Sequence, residues 1–169
     1  MTGEEQPNWA QIVNRHGKRV FRIANRILGS VHDAEDVSQE VFTEAYRMHQ
    51  AGPVQSWTGL LVRLATLRAI DRLRGTRLAK ELHDNDHVST IEPFDELTAR
   101  ELAQWLRAAI ARLPDQQATV FALVHFEHLS RDEVASSLDI SPESVSTALY
   151  KARQRLILQI SVLNEGNSQ

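Results

Sequence analysis

The residues of this 169-residue chain best suited to chemistry with a nucleic acid lie near its C-terminus: Ser146, Thr147, Tyr150, Lys151, Arg153 and Arg155. Hydroxyls and an ammonium can bond base edges, and a tyrosine can lie against a thymine methyl or a phosphate. Arginines near a helix C-terminus suit phosphates. The apolar residues Val145, Leu149, Ala152 and Leu156 recur at four, three and four residues, which predicts an inward helical stripe. Opposite it fall Glu143, Ser146, Thr147, Tyr150, Lys151 and Gln154. Ser141 is placed to cap this helix, and Pro142 occupies the first helical position, where a missing N–H costs nothing. Upstream, Ser130 is placed to cap a shorter helix, with Glu133 completing an S-x-x-E capping box. Asp139 and Ile140 make the turn between them. Over Leu129–Leu156 this is the pattern of a helix-turn-helix, which sets its second helix in the DNA major groove. A merely amphipathic helix with a solvated basic face would need neither the short helix before it nor the three-residue turn.

A second basic set lies nearer the N-terminus. A helix from about Trp57 to Arg74 turns Leu60, Leu61, Leu64, Ala65, Leu67 and Ile70 inward, with Arg63, Arg68, Arg72 and Arg74 elsewhere on its surface. Such arginines can track a phosphate backbone. Trp57 opens this helix just after the Gly52–Pro53 loop, where an exposed indole could stack on an unpaired base, an interaction worth ~1–3 kcal/mol. From the residues alone, the readier account is that Trp57 anchors a core and that the arginines are solvated. The preceding helix has the opposite charge. Asp33 is placed as its N-cap, and Ala34, Val37, Val41, Ala45 and Met48 form the inward stripe. Glu35, Asp36, Gln39, Glu40 and Glu44 face outward. An acidic face repels DNA, so it either meets a protein or is simply solvated.

Other chemistries find little support. His125 and His128 share a helical face with Glu127 between them, but no further ligand is evident and structural metal sites usually need four. No metal or other cofactor is expected. No P-loop, G-x-S-x-G or pair of catalytic carboxylates stands in a suitable context, which argues against an enzyme and a small-molecule substrate. There is no cysteine, so disulfides and thiolate metal sites are excluded. No apolar run approaches the ~18 residues of a membrane span, and MTGEEQPNWA does not read as a signal peptide. A cytoplasmic protein without membrane insertion is expected.

The net charge of −3 conceals a segregated distribution. From Ala10 to Arg77 there are 11 Lys/Arg against 6 Asp/Glu, from Leu78 to Ala99 one base against 6 acids, and from Arg100 to Ile160 seven of each. Charge sorted by segment suggests different partners for different segments. A first helix is expected over Trp9–Leu28, closed by Gly29, with His16 partly buried on its apolar face. Periodicity fails and acids gather from Gly75 to Pro93, and helical pattern resumes from about Phe94 to Leu113, where Pro114 ends it. Asp115 begins a further helix with Val120, Phe121 and Val124 inward. With 42% hydrophobic residues the chain can bury real cores. The expected fold is all-α: two small helical domains, residues 8–75 and 94–160, joined by an acidic flexible linker over 76–93.

Taken together, these motifs resemble the bacterial extracytoplasmic-function (ECF) RNA polymerase sigma factors. DAEDVSQEVF (Asp33–Phe42) resembles that family's core-polymerase-binding helix, and AIDRLR (Ala69–Arg74) the end of its promoter-melting helix. LPDQQATVFAL, LSRDEVASSLDIS and SPESVSTALYKARQRL are similar to its C-terminal DNA-binding domain. The likeness runs from about Val13 to Leu158, in order. It implies a region 2-like helical bundle and a region 4-like helix-turn-helix domain in a non-enzymatic specificity factor. Its implied partners are core RNA polymerase through the β′ and β subunits, promoter DNA and an anti-sigma factor. The resemblance gives Asp33, Asp36, Gln39 and Glu40 to core polymerase. It gives Trp57, Arg63, Arg68, Arg72 and Arg74 to the minus-ten element, and Ser146, Thr147, Tyr150, Lys151 and Arg153 to the minus-thirty-five element. Departures stand at Trp57, Leu60 and Leu67, where the family often has phenylalanine, tryptophan and asparagine. Ser146 and Ala148 stand where it often has bases, and Gln117 and Ala118 where an arginine is frequent. The weakened basic face of the last helix motivates an alternative, a sigma-like decoy that binds an anti-sigma factor without recognising a promoter.

Overall fold

In a computed structural model, which describes residues 8–83 and 98–165, the described chain forms seven helices and no strand. It divides into two compact units, Met1–Ala69 and Ile70–Gln169. In the first, α1 (Trp9–Leu28) packs along α2 (Val31–Ala51). Asn8 starts α1 by accepting from the Ala10 N–H, and Gly29 ends it in the left-handed region (φ 65°, ψ 20°), where a side chain would be strained. The shared core holds Val20, Ile23, Ala24 and Ile27 from α1 and Ala34, Val37, Val41 and Ala45 from α2. Small side chains at the contact let the two backbones approach closely. His16 is half-buried, as its apolar face predicts.

Two details of α2 differ from expectation. Ser30, not Asp33, is the N-cap: its Oγ accepts from the Asp33 N–H at 3.3 Å, which puts the Asp33 carboxylate inside the first turn. Both residue types cap well, and the helix begins at the earlier one. At the other end Met48, expected in the inward stripe, is 40% exposed.

The third helix, α3 (Trp57–His83), begins at Ser56, whose Oγ accepts from the Gly59 N–H. Leu61, Val62, Leu64, Ala65, Thr66, Ala69 and Ile70 are buried, while Leu60 and Leu67 are half-buried. The Thr66 hydroxyl donates to the Val62 carbonyl, which satisfies it within its own helix. The helix does not stop at Arg74 but continues to His83. Residues 76–83, expected as linker, are therefore helical. Leu78 and Leu82 in this part are exposed, which erases the apolar signal. Leu, Ala, Lys and Glu nonetheless favour helix, and Arg77 pairs with Glu81 one turn on. The rest of the expected linker, 84–93, lies outside the described residues.

The second unit contains α4 (Ala99–Ala111), α5 (Asp115–His125), α6 (Arg131–Leu138) and α7 (Pro142–Glu165). Thr98 and Glu101 form a capping box that starts α4, later than the Phe94 expected; Phe94 itself lies outside the described residues. α7 packs on α4, α5 and α6. Leu123, Val120 and Ala118 from α5, Val134 from α6 and Val145 and Ala152 from α7 make a core with 0% exposure. On α7 Ala148 is buried and Leu149 half-buried, so the inward stripe runs Val145, Ala148, Ala152, Leu156. Both alternatives keep steps of three and four, and packing chooses between them.

Leu123→Ala should cost ~2–5 kcal/mol, whereas Met48→Ala should stay within about 0.5 kcal/mol. Urea unfolding followed by circular dichroism measures both.

Candidate functional site

Three surfaces carry the chemistry. The first is the outer side of α2. Asp33, Asp36 and Glu40 follow at three and four residues, with Gln39 beside them, opposite the buried Ala34, Val37 and Val41. Glu35, Gln39 and Glu40 are exposed, and Asp33 and Asp36 half-buried. His32 lies 3.7 Å from Asp36 one turn away. The face is a stripe of carboxylates held rigidly by the stripe behind it, suited to a basic protein surface rather than to nucleic acid.

Glu44, one turn beyond Glu40, reaches across to α3. Its carboxylate accepts two hydrogen bonds from the Arg68 guanidinium, Nε to Oε2 and Nη2 to Oε1, each 2.7 Å. This two-pronged pair links α2 to α3 and fixes the planes of both groups. The Arg68 hydrogen bond, aided by the positive charges of Arg68, Arg63 and Arg47, holds the Glu44 carboxyl below the ordinary glutamate value against a smaller opposing effect of burial.

The second surface belongs to α3 and the aromatic residues around its start. Trp57 is half-buried, 5.8 Å from Trp9 and 5.3 Å from His49 between ring centres, both edge to face. Trp9 also meets Tyr46 at 5.0 Å and Phe42 at 6.1 Å. Trp57 is thus braced by packing and keeps a solvent-facing remainder, so the two readings of this residue combine. The four arginines do not share one face. Arg68 and Arg72 are one turn apart on one side, whereas Arg63 and Arg74, eleven residues apart, fall on another. Arg74 is engaged inside the second unit. It donates from Nε to the Ala111 carbonyl (3.3 Å) and from Nη2 to the Leu113 carbonyl (2.5 Å), and it pairs with Asp115. These carbonyls lie at the C-terminal end of α4, where the helix itself supplies no donors, so Arg74 acts there as a cap.

The third surface is the helix-turn-helix. Ser130 and Glu133 form both bonds of the expected capping box, which holds the exposed Glu133 carboxyl below its ordinary value. Asp139 turns the chain in the left-handed region (φ 54°), a conformation aspartate tolerates better than most residues. Ser141 then caps α7 by accepting from the Ser144 N–H at 3.1 Å. Thr147, Lys151, Arg153, Gln154 and Arg155 are exposed, and Tyr150 is 65% exposed. Ser146 is half-buried and bonded to Arg131, a residue the sequence pattern did not single out. Arg153 lies 3.4 Å from His125 Nε2. Burial, then the Arg153 charge and then His128 lower the His125 pKa, which favours the neutral ring. His125 also stacks on Phe121 at 4.5 Å. Among the described residues no group of three or more His, Asp or Glu could hold a metal ion, and no helix is long and apolar enough to cross a membrane.

Comparison with known proteins gives the same order of parts. Residues 12–78 match the family model described as Sigma-70 region 2, and residues 103–156 match Sigma-70 region 4. The chain is 32% identical over 162 residues to the ECF RNA polymerase sigma factor SigE of Mycolicibacterium smegmatis, covering 92% of this chain and 63% of that protein. It is 28% identical over 169 residues to SigW of Bacillus subtilis, an ECF sigma factor of which it covers 90%. In fold it is similar to CnrH, solved in complex with the cytosolic domain of CnrY (TM-score 0.56, 19% identity, 95% of this chain and 89% of that one). It is similar likewise to the sigma factor RpoE of Bartonella quintana, solved with the anti-sigma factor NepR (TM-score 0.55, 16% identity, 91% and 97%).

The Glu44–Arg68 pair yields a pH-dependent prediction. A carboxyl whose folded pKa is depressed stabilises the fold above its unfolded pKa, and that contribution disappears as pH falls through the folded value. Glu44→Gln should lower stability by ~1 kcal/mol or less at neutral pH, because the pair is about one-third exposed. The gap to wild type should close below about pH 4, as read from urea midpoints across the acid range.

Proposed function

The chain belongs to the ECF RNA polymerase sigma factors of the sigma-70 family, and from this we propose that its three surfaces divide the work of promoter-specific transcription initiation. The observation that carries this reading is the coincidence of region 2 with the carboxylate stripe of α2 and of region 4 with the helix-turn-helix of α6 and α7.

In this reading Asp33, Asp36, Gln39 and Glu40 dock on the basic coiled coil of the polymerase β′ subunit. Trp57 and the arginines of α3, Arg63, Arg68, Arg72 and Arg74, meet the minus-ten element. The arginines neutralise phosphates, and the indole helps to hold an unstacked base, offsetting an unstacking cost of a few kcal/mol. Arg68 and Arg74 also have structural partners, so their contact with DNA competes with Glu44 and with the end of α4. Thr147, Tyr150, Lys151, Arg153 and the Ser146 position face the minus-thirty-five element in the major groove. A polymerase- and minus-ten-binding domain over 8–75 and an upstream-element reader over 94–160 are joined through 76–93, of which 76–83 are helical. That connecting stretch is acidic and threads through polymerase where its carboxylates mimic RNA phosphates.

The protein is not itself an enzyme: it borrows the catalysis of polymerase, and it works in the cytoplasm, where its machine is. An anti-sigma factor is its second protein partner, a reading supported by the complex in which RpoE was solved with NepR.

Mixed with core polymerase and genomic promoter fragments, the purified chain should give specific transcripts; binding of an anti-sigma factor without polymerase binding or transcripts would favour a decoy. Asp36→Arg with Glu40→Arg should abolish association with core polymerase in a pull-down while the circular dichroism spectrum is unchanged. Unaltered core affinity would remove that surface from the reading. Lys151→Ala should reduce transcription from promoters that depend on the upstream element several-fold.

A further inference from the structure

The hydroxyl of Ser146, a residue expected to meet base edges, is largely committed within the protein. Its Oγ donates to the Pro142 carbonyl at 3.1 Å and accepts from Arg131 Nη1 at 3.2 Å. A serine hydroxyl has one hydrogen and two lone pairs, so a single lone pair remains for anything else. The cation that engages it comes from a different helix. Arg131 is the first residue of α6 and is exposed, yet its guanidinium reaches α7 at Ser146, the neighbour of Thr147 in sequence and one turn before Tyr150. The bond to Ser146 uses one of its five N–H donors.

Stability does not account for a cation at that position. In the first turn of a helix a positive charge opposes the macrodipole, whereas the neighbouring Asp132 and Glu133 suit it. A single bond to a serine at the surface adds little. The arrangement does suit recognition. α7 carries no base of its own before Lys151, and recognition helices read base edges mainly with their N-terminal residues. A guanidinium fork matches guanine O6 and N7, and one held by a hydroxyl loses less freedom on binding than one that swings in water.

We infer that Arg131 is a specificity-determining residue of the upstream-element reader, pairing with a guanine edge in the major groove, and that Ser146 is the positioning residue that holds it. This rests on the proposed entry of α7 into that groove.

The test uses holoenzyme assembled from the full chain and core RNA polymerase. It is offered promoter fragments randomised across the upstream element, and the bound fragments are sequenced. Arg131→Ala should weaken a guanine preference at one position by about tenfold while leaving the other positions unchanged. Arg131→Lys should restore part of that preference, and Ser146→Ala should blunt it at the same position by less than Arg131→Ala does. Unchanged selected sequences with Arg131→Ala would overturn the inference. So would a uniform loss of affinity with a shallower salt dependence, the mark of a phosphate contact. Lys151→Ala in parallel separates the two levels. If it weakens binding while Arg131→Ala leaves the selection alone, only the present inference falls; if neither variant has any effect, the placement of α7 falls with it.

Discussion

The rotational setting of two helices is the constraint on which the rest of this molecule depends. On α2 the buried residues are Ala34, Val37, Val41 and Ala45; on α7 they are Val145, Ala148, Ala152 and Leu156. Both stripes advance by three, four and four residues. Each fixes its helix about its long axis, and a slip of one residue would turn every outward side chain by about 100°. The acidic stripe and the basic face are therefore consequences of packing. Small aliphatic side chains do this well, because they bring helices close and leave few alternative rotamers.

Against this background the charged residues fall into two kinds. Some project from a locked helix into solvent, as Glu35 and Lys151 do. Others hold the fold together: Arg68 grips Glu44 between helices, and Arg74 closes the end of α4. The second kind shows why composition is a poor guide to a binding surface. Five arginines on α3 look like a cationic track, but Arg68, Arg74 and Arg77 are held by partners within the protein. The guanidinium suits both uses because its planar fork satisfies carboxylates, carbonyls and phosphates alike.

What could be read from the sequence was local. The capping box of α6, the serine and proline that begin α7, the glycine that ends α1 and most of each inward stripe depend on residues within a turn or two of one another, and these were legible. Errors arose where two local solutions competed. Ser30 and Asp33 can each cap α2; Ala148 and Leu149 can each continue the stripe of α7. The extension of α3 escaped because Leu78 and Leu82 are exposed, which leaves helix propensity without periodicity. Partners distant in the chain were beyond reach. Nothing in the spacing ties Arg68 to Glu44, Arg74 to Leu113 or Arg131 to Ser146, since those meetings exist only after helices have docked. The family resemblance supplied the order of parts but not these bonds.

The eight-residue length of α6 has a consequence of its own. An isolated helix needs some 12–15 residues to persist in water, and α6 is bracketed by two non-glycine residues in left-handed geometry, His128 before it and Asp139 after it. It cannot outlive its neighbours. Val134 and Ala135 keep it folded by resting on α5 and α7, so the two halves of the motif melt as one cooperative piece. A shortened C-terminus that unseated α7 would abolish the whole reading head, and even a fragment retaining every residue of α6 would inherit none of its shape.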